Sequence, residues 1–295
     1  MLKIDPKNTE KSALFGHLLG AIGPRPIAFA STVDEDGNPN LSPFSFFNVF
    51  SSNPPILIFS PARRVRNNTT KHTLENVHEV KEVVINVVNY KIVQQASLSS
   101  TEYPKGVNEF EKAGFTPLAS ETVRPFRVKE SPVQLECKVK EIVPLGTEGG
   151  AGNLVICEVL MAHIDESILN DKGLIDPNKI DLVGRMGGDW YCRASGNAIF
   201  KVQKPLTTMG IGIDQIPPRI KNSYILSGND LGKLGNIESI PGESAIKARA
   251  EDIEIKQILE NSVDDNERKE KLHLLAKELL EEEKVKEAWT TLLVR

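Results

Sequence analysis

Short apolar runs separated by turn residues occupy the first two thirds of the chain. The runs are rich in β-branched and aromatic residues and are bounded by Gly, Pro, Asn and Asp, a pattern typical of β-strands. The predicted strands cover residues 27–33, 41–50, 56–59, 82–88, 133–143, 153–164 and 183–191. Repeated short strands with few long helices favour a small antiparallel barrel for this part of the chain.

Helical spacing of apolar residues is limited to a few segments before residue 200 and dominates the end of the chain. Residues 12–22, 73–80 and 90–98 are predicted as short helices. From about residue 241, isolated apolar residues recur at helical spacing among charged residues. This pattern predicts helices over 244–260 and beyond 264, arranged as a surface hairpin with one apolar stripe.

The stretch 24–61 places small polar residues where a plain strand would be apolar. Ser42, Pro43, Ser45 and Asn48 interrupt the second predicted strand, and a proline inside a strand is typical of an edge or a bulge. One interpretation is a bulged strand without further function. The other is a site for a flat heteroaromatic ring, which needs apolar walls and polar groups at its edge.

A basic loop follows the third predicted strand. Residues 63–73 contain three arginines, one lysine and several hydroxyl groups, and they lead into the helix predicted at Thr73. Cations beside the first amides of a helix make a favourable site for a phosphate group. A solvated surface loop is the alternative, but the position next to the ring-binding stretch favours the phosphate.

One long loop and two glycine-rich segments bear on other possible chemistry. Residues 99–114 are predicted as a long loop, either a lid over a binding site or a passive connection. The run 146–152 is interpreted as a hairpin turn, since no helix follows it. Gly210 and Gly212 do not complete a dinucleotide-binding fingerprint, because Gln215 stands at the third glycine position.

Residues 183–191 are predicted as a last strand and turn, and they contain two adjacent glycines. Such a pair indicates a close approach of the backbone to another part of the chain. Its aromatic residues Trp190 and Tyr191 are interpreted as core residues rather than ligand contacts.

The composition is that of an ordinary globular protein, with 40% hydrophobic and 26% charged residues. A net charge of −4 gives no reason to expect binding to nucleic acid or to an anionic membrane. No run reaches the roughly 18 apolar residues of a membrane helix. Residues 1–11 lack the apolar core of a secretory signal, so we expect a cytoplasmic protein.

The three cysteines, Cys137, Cys157 and Cys192, are far apart and form no C-x-x-C pair. They are predicted as buried or half-buried thiols in a reducing compartment. The five histidines show no metal-ligand spacing. No metal site is therefore predicted.

Several short motifs follow one another in order: Arg25-Pro-Ile-Ala, Ser31-Thr32, the Gly37 turn, Leu41-Ser-Pro-Phe-Ser-Phe-Phe-Asn48, Pro54-Pro55, Lys71-His-Thr-Leu-Glu-Asn76, Tyr103-Pro-Lys-Gly-Val-Asn-Glu-Phe110 and Gly184-Arg-Met-Gly-Gly-Asp-Trp-Tyr191. No single motif is strongly specific. The ordered set, spread over roughly residues 10–240, resembles the flavin reductase-like, FMN-binding split-barrel family.

The resemblance implies a fold that is mainly β with some α, an antiparallel split β-barrel with a C-terminal helical extension. It implies a flavin reductase-like domain at 1–205, a connecting segment of the family type at 206–240 and the helical extension at 241–295. It also implies a homodimer with FMN at or near the subunit interface. NADH or NADPH would transfer a hydride to flavin N5, and a monooxygenase or another acceptor would receive the reduced flavin or its electrons.

The resemblance further implies which residues contact FMN. Those along the isoalloxazine ring and ribityl chain would be Ser31, Thr32, Ser42, Pro43, Ser45 and Asn48. Those serving the phosphate would be Ser60, Arg66, Lys71 and Thr73.

Some assignments within this set stay open. Arg63 and Arg64 compete with Arg66 for the phosphate, and the family commonly has an acidic residue where His72 stands. His163 and Tyr103 are further candidates, for the nicotinamide or acceptor side. No general acid or nucleophile is assigned, because the flavin carries the redox chemistry.

Two other functions are compatible with the sequence. A flavoredoxin-like electron carrier would hold FMN tightly and be reduced by a protein partner instead of NAD(P)H. A flavin-free interaction module, recruited through residues 241–295, is the other alternative.

Overall fold

The structure, a computed structural model, describes residues 1–294. The chain divides into two compact units, Met1–Phe200 and Lys201–Arg295. The strands lie in the first unit, and the second unit is helical. Each unit is built around its own hydrophobic core.

The first unit combines eleven strands with short helices. The strands are β1 (Ala28–Val33), β2 (Pro39–Phe44), β3 (Phe47–Ser52), β4 (Pro55–Phe59), β5 (Glu82–Val87), β6 (Pro117–Leu118), β7 (Arg127–Val128), β8 (Val133–Pro144), β9 (Asn153–Ile164), β10 (Leu182–Arg185) and β11 (Tyr191–Ala194). The helices are α1 (Lys11–Ala21), α2 (His72–Glu79), α3 (Val93–Leu98), α4 (Glu109–Ala113) and α5 (Pro177–Ile180).

Seven strands form one antiparallel sheet in the order β2-β1-β5-β8-β9-β4-β3. The pairs β6–β7 and β10–β11 are separate. The two edge strands, β2 and β3, are not bonded to each other, so the sheet is split at this point. This architecture confirms the predicted antiparallel split barrel with helices.

The sheet buries side chains on both faces, as strand β1 shows. All six of its residues are buried, because successive side chains of a strand point to opposite faces. Ala28 and Ala30 join the cluster that contains Phe59 and is covered by Leu74 of α2. Phe29 joins a second cluster on the other face. Full burial of a phenylalanine stabilises the fold by about 1.5–3 kcal/mol.

The single strand predicted over 41–50 is wrong, because the chain breaks at Ser45 and Phe46 into β2 and β3. These consecutive strands occupy opposite edges of the sheet. Phe44 and Phe47, on either side of the break, pack into the same core cluster. The apolar pattern continues across the break because both strands pack against the same core. Periodicity alone therefore does not reveal the break.

Two other predicted boundaries differ from the structure. The helix predicted over 90–98 starts at Val93, because the backbone at Asn89 and Tyr90 bonds to that of Asp181 and Leu182. The strand and turn predicted over 183–191 are β10 and the turn of the β10–β11 hairpin, whose second strand was not predicted. The turn leaves Trp190 exposed, so the core interpretation of Trp190 is wrong.

The second unit consists of α6 (Pro218–Lys221), α7 (Gly228–Gly235), α8 (Glu243–Ala250), α9 (Ile253–Asn261), α10 (Asp265–Glu281) and α11 (Val285–Leu293). The helix predicted over 244–260 is two helices, since the extended residue Asp252 starts a new one.

Trp289 lies at the centre of this unit. It is fully buried, and its indole Nε1 donates to the carbonyl of Leu234 at 2.9 Å. Ile216 and Ile220 pack into the same cluster. The segment 206–240, predicted as a connection, therefore contributes to the helical core, and the unit begins at residue 201.

The cysteines are free thiols among the described residues. Cys137 and Cys157 are buried, and burial raises the pKa of the Cys137 thiol to about 12. Within residues 1–294 we find no helix with the length and apolar character that crossing a bilayer requires. The same residues contain no cluster of His, Cys, Asp or Glu side chains arranged to hold a metal ion.

His273 makes the stability of the second unit sensitive to acid. It is buried in α10, and its Nδ1 lies 2.7 Å from Oγ of Ser223. Burial lowers its pKa to about 4, with smaller effects from Lys269 and Arg219. The folded pKa is below the unfolded value of about 6.5, so the unfolded chain binds the proton first as the pH falls.

We therefore expect the free energy of unfolding to decrease as the pH falls from about 6.5 to about 4. Urea unfolding followed by Trp289 fluorescence in a Trp190→Phe background measures this. His273→Asn removes the titrating ring and should flatten this part of the pH profile. An unchanged pH profile in His273→Asn would contradict the assignment.

Candidate active site

The edge strand β2 presents outward backbone groups. In an antiparallel pair, every second amide of an edge strand points away from its neighbour. The amide of Leu41 donates to Oε2 of Glu109 at 3.0 Å, so Leu41 and Pro43 belong to the outward set. Pro43 has no N–H and lies at a position where no bond to β1 is needed. Ser45 follows directly after the strand and lines the cavity described next.

A cavity of about 290 Å³ lies beside this end of β2, close to the lower limit of about 300 Å³ for small-molecule sites. Its walls come from α1, α3, the Pro43–Phe46 stretch and the β10–β11 hairpin. Side chains on the walls include Phe15, Leu19, Pro43, Phe46, Val93 and Tyr191. The rings of Phe15 and Phe46 meet edge to face at 6.2 Å. We call this space the apolar cavity.

Arg25 fixes one wall of the apolar cavity. Its buried guanidinium donates to the carbonyls of Leu19 and Met186, both at 2.8 Å. Burial lowers its pKa, and the neighbouring charge of Arg185 adds to this effect. A Cβ on Gly187 would lie 3.1 Å from a Cα of α1, so this predicted close approach is present. Arg25 and this glycine thus hold α1 against the hairpin.

A second cavity of about 330 Å³ adjoins the first and shares Arg185 and Tyr191 with it. The guanidinium of Arg193 stacks 3.9 Å from the ring centroid of Tyr90. Arg193 also donates to both carboxylate oxygens of Asp181 at 2.7 Å. The second cavity therefore has a planar, rigid wall beside the apolar cavity.

A small polar pocket lies at the other end of β2, with a volume of about 20 Å³. It is enclosed by the basic loop, the first turn of α2 and residues 99–103. Side chains that line it include Asn40, Ser42, Arg64, Lys71, Thr73 and Tyr103. We call this space the polar pocket.

Arg64, Lys71 and His72 line the polar pocket together with the carboxyl groups of Glu102 and Glu109. The side chain of Arg64 is 14% exposed and that of Arg66 is 81% exposed, so Arg64 is the arginine built into the pocket. Burial lowers the pKa of Lys71, Arg64 lowers it further, and Glu102 acts in the opposite direction. Burial also lowers the pKa of His72. An anion in the pocket would relieve this mutual repulsion.

Buried amide–hydroxyl bonds hold the pocket together. Nδ2 of Asn40 donates to Oγ1 of Thr73 at 2.8 Å, and Nδ2 of Asn76 donates to Oγ1 of Thr32 at 3.1 Å. These bonds tie the first turn of α2 to β1 and β2. Lys71, the residue before α2, gives that turn no side-chain cap. The first amides of the helix, which have no intrahelical partner, are therefore suited to an anion.

The apolar cavity and the polar pocket adjoin along β2. Ser42 lines the polar pocket and the adjacent Pro43 lines the apolar cavity. Ser100 lines both. We call the two together the β2 groove, and we call its end with Arg64 and Lys71 the cationic end.

The structure brings half of the predicted cofactor-binding residues into the β2 groove, namely Ser42, Pro43, Ser45, Lys71 and Thr73. Thr32 lies behind the groove and supports it through Asn76. Ser31, Asn48, Ser60 and Arg66 do not line it.

Each of these four residues has a different environment. Ser31 is fully buried, and its hydroxyl has no partner within residues 1–294. Asn48 is exposed on β3 and accepts from the next amide. The hydroxyl of Ser60 accepts from the amide of Asn153 at 3.1 Å. Arg66 reaches outward to a carboxylate of the neighbouring loop.

The two nicotinamide-side candidates lie apart from each other. Tyr103 lines the polar pocket, not the apolar cavity. His163 lies on β9, outside the β2 groove, with Nε2 2.8 Å from Oε1 of Glu136. Burial raises the pKa of Glu136, but bonds from Thr122, the amide of Glu121 and His163 outweigh it and bring the pKa to about 2. His163 therefore belongs to a buried structural network.

Sequence reasoning missed several residues of the groove. It did not single out Arg64 among the three arginines, nor Asn40 and Glu109. The run Ser99–Thr101 also lines the polar pocket. Three consecutive hydroxyl residues in a long loop are a sequence signal for a polar binding site. The choice of Arg64 depends on its burial, which only the fold determines.

Comparison with known proteins places these observations in a family. The family model of the flavin reductase like domain matches residues 21–179, more than half of the 295 residues. The chain belongs to the flavin reductase-like family. A protein of Aquifex aeolicus (strain VF5), itself uncharacterised, is 38% identical over 196 residues, which are 66% of this chain and 97% of that protein.

Solved structures of this family are similar in fold. Nitrilotriacetate monooxygenase component B from Bacillus cereus is 29% identical with a TM-score of 0.64, covering 68% of this chain and 98% of that one. A Shewanella frigidimarina protein assigned as a flavin reductase with a split barrel domain is 27% identical with a TM-score of 0.58. It covers 69% of this chain and 100% of that one. The remaining third of this flavin reductase-like chain thus has no counterpart in these structures.

Proposed function

We propose that this flavin reductase-like protein is an NAD(P)H:flavin oxidoreductase that binds FMN in the β2 groove. The observation that carries the proposal is that an apolar cavity and a pocket containing Arg64 and Lys71 adjoin along one edge strand. FMN combines a flat ring system with a phosphate, and the groove has matching chemistry at its two ends. The similarity to the Bacillus cereus monooxygenase component supports the proposal.

The cationic end of the groove suits the phosphate. Arg64 and Lys71 supply charge-assisted hydrogen bonds, and the uncapped first turn of α2 supplies backbone amides. Burial, and to a lesser extent the charge of Arg64, lowers the pKa of Lys71, and a dianion bound beside it would favour its charged form. Ser42 and Ser100, between the two ends, suit the hydroxyl groups of the ribityl chain.

The apolar end suits the ring system. Pro43 and Phe46 form one wall and Tyr191 another. The backbone amide of Ser45, which lines this cavity, would donate to the polar edge of the ring. When bound, FMN supplies the redox chemistry by accepting a hydride from NADH or NADPH. The residues of the groove position the reactants and exclude water, which together account for much of the acceleration.

The second cavity offers the hydride donor a place beside the ring. It shares Arg185 and Tyr191 with the apolar cavity, so a molecule in it lies next to the ring site. We therefore assign the nicotinamide side to Arg185 and Tyr191 instead of His163, because His163 lies outside the groove. The acceptor of the reduced flavin would be a monooxygenase or another redox protein.

A homodimer is part of the proposal. Val49 and Phe50 expose more than half of their surface on the edge strand β3. Phe15, Leu18 and Ile22 of the adjoining N-terminal segment are also exposed. Contiguous exposed apolar side chains mark interaction surfaces. A second copy of the chain would cover them beside the apolar cavity, because Phe15 and Phe46 line that cavity.

The function is tested by adding NADH or NADPH to the FMN-loaded protein without oxygen. We expect stopped-flow bleaching of the visible flavin band, faster than for free FMN at the same concentrations. Bound FMN that resists both donors would contradict the proposed activity. Reduction of that FMN by a redox protein would then favour the electron carrier.

Lys71→Ala separates the phosphate end from the ring end. Loss of a charged hydrogen bond, about 1.5–3 kcal/mol, should weaken FMN binding about tenfold or more. Riboflavin, which lacks the phosphate, should change by less than about twofold. Fluorescence titration measures both affinities. Lys138→Ala, on an exposed position of β8, is the matched control, and equal losses for both flavins would place Lys71 away from the phosphate.

The dimer is tested by replacing an exposed apolar residue. Light scattering should give twice the chain mass for the wild type and a monomer for Phe50→Glu, because an unpaired charge is costly in an apolar interface. Val263→Glu, at an exposed position of the second unit, should leave the dimer intact. A wild-type monomer would contradict this part of the proposal.

A further inference from the structure

Glu102 lies between the polar pocket and solvent, in a loop that covers the pocket. Its Oε1 lies 3.5 Å from Nε of Arg64, and its Oε2 accepts from Nη2 of Arg66 at 2.8 Å. One carboxylate thus joins the arginine inside the pocket to the arginine on the surface. Its side chain is 45% exposed, so it can leave this position without unfolding the core.

A phosphate and the Glu102 carboxylate would compete for the guanidinium of Arg64. Nη1 donates to Oγ1 of Thr69 and to the carbonyl of Thr70, and Nε faces Glu102. A phosphate that approaches Arg64 therefore meets a cation already shared with a carboxylate. Lys71 is close enough for Glu102 to raise its pKa. Glu102 thus partly neutralises both cations of the pocket.

The size of the polar pocket points in the same direction. Its volume of about 20 Å³ holds about one water molecule. A phosphate entering it must displace a lining group. Of the lining groups, Glu102 carries a negative charge on an exposed loop, so repulsion from the phosphate and access to water both favour its displacement.

We infer that Glu102 is an internal competitor for the phosphate-binding cations, which weakens FMN binding and keeps the flavin exchangeable. The inference rests on the proposed function and specifies how the flavin is used. A phosphate and a carboxylate that share Arg64 repel each other, so the carboxylate lowers affinity for FMN. Riboflavin is unaffected. FMN then leaves readily, as suits a flavin handed to another protein.

The opposite role for Glu102 is that it orders the loop and so helps flavin binding. The two roles predict changes of opposite sign when the charge is removed. Arg66 separates them further, because it reaches the pocket only through Glu102. If Arg66 bound the phosphate directly, its effect would persist without Glu102.

The test compares Glu102→Gln with Glu79→Gln, which removes a charge from the exposed far end of α2. Affinities for FMN and riboflavin are measured by fluorescence titration, and the release rate of FMN by stopped flow. Glu102→Gln should bind FMN about tenfold more tightly and release it more slowly, with riboflavin changed by less than about twofold. Glu79→Gln should resemble the wild type.

A double-mutant cycle completes the test. Arg66→Gln should weaken FMN binding in the wild type, because Glu102 then acts on Arg64 and Lys71 alone, and should have no effect in the Glu102→Gln background. Unchanged or weaker FMN binding by Glu102→Gln would overturn the inference while leaving the proposed function intact. Absence of FMN binding by both the wild type and Glu102→Gln would overturn both.

Discussion

The central constraint in the first unit is that its sheet does not close. β2 and β3 follow one another in the chain and lie at opposite edges of the sheet. An open edge exposes unpaired backbone groups that must be covered or used. On β2, Glu109 accepts the amide of Leu41, Pro43 has no amide to offer, and Ser45 is left at the mouth of the apolar cavity. The split that prevents closure thus leaves the edge along which the β2 groove lies.

The two ends of the groove are maintained by different forces. The apolar end is formed by the packing of α1 against the β10–β11 hairpin, and Arg25 holds the two together. At the cationic end Arg64 donates to Thr69 and Thr70, and buried amide–hydroxyl bonds tie α2 to β1 and β2. A molecule that is apolar at one end and anionic at the other satisfies both ends at once.

The sequence was informative where local chemistry determines structure. Alternation located the long hairpin β8–β9, and the basic loop before Thr73 located the polar pocket. It was uninformative where partners come from distant parts of the chain. Ser31 and Thr32 are adjacent, yet only Thr32 points toward α2. The depth of Arg64 and the distance of His163 from the groove depend on how the sheet is assembled, which no local pattern encodes.

The second unit shows the same limit at a larger scale. Its helices were predicted from apolar spacing, but the contribution of 206–240 was not, because Ile216 and Ile220 meet Trp289 only after folding. Isolated apolar residues between turns predict a connecting segment, because the sequence does not reveal the surface against which they pack.

The most direct test of the account is a crystal structure of the protein with FMN. The account predicts the phosphate beside Arg64 and Lys71 and the ring system against Pro43 and Phe46, with the ribityl chain passing Ser42 and Ser100. A flavin bound elsewhere, or a groove that stays closed by its own side chains at saturating FMN, would contradict it.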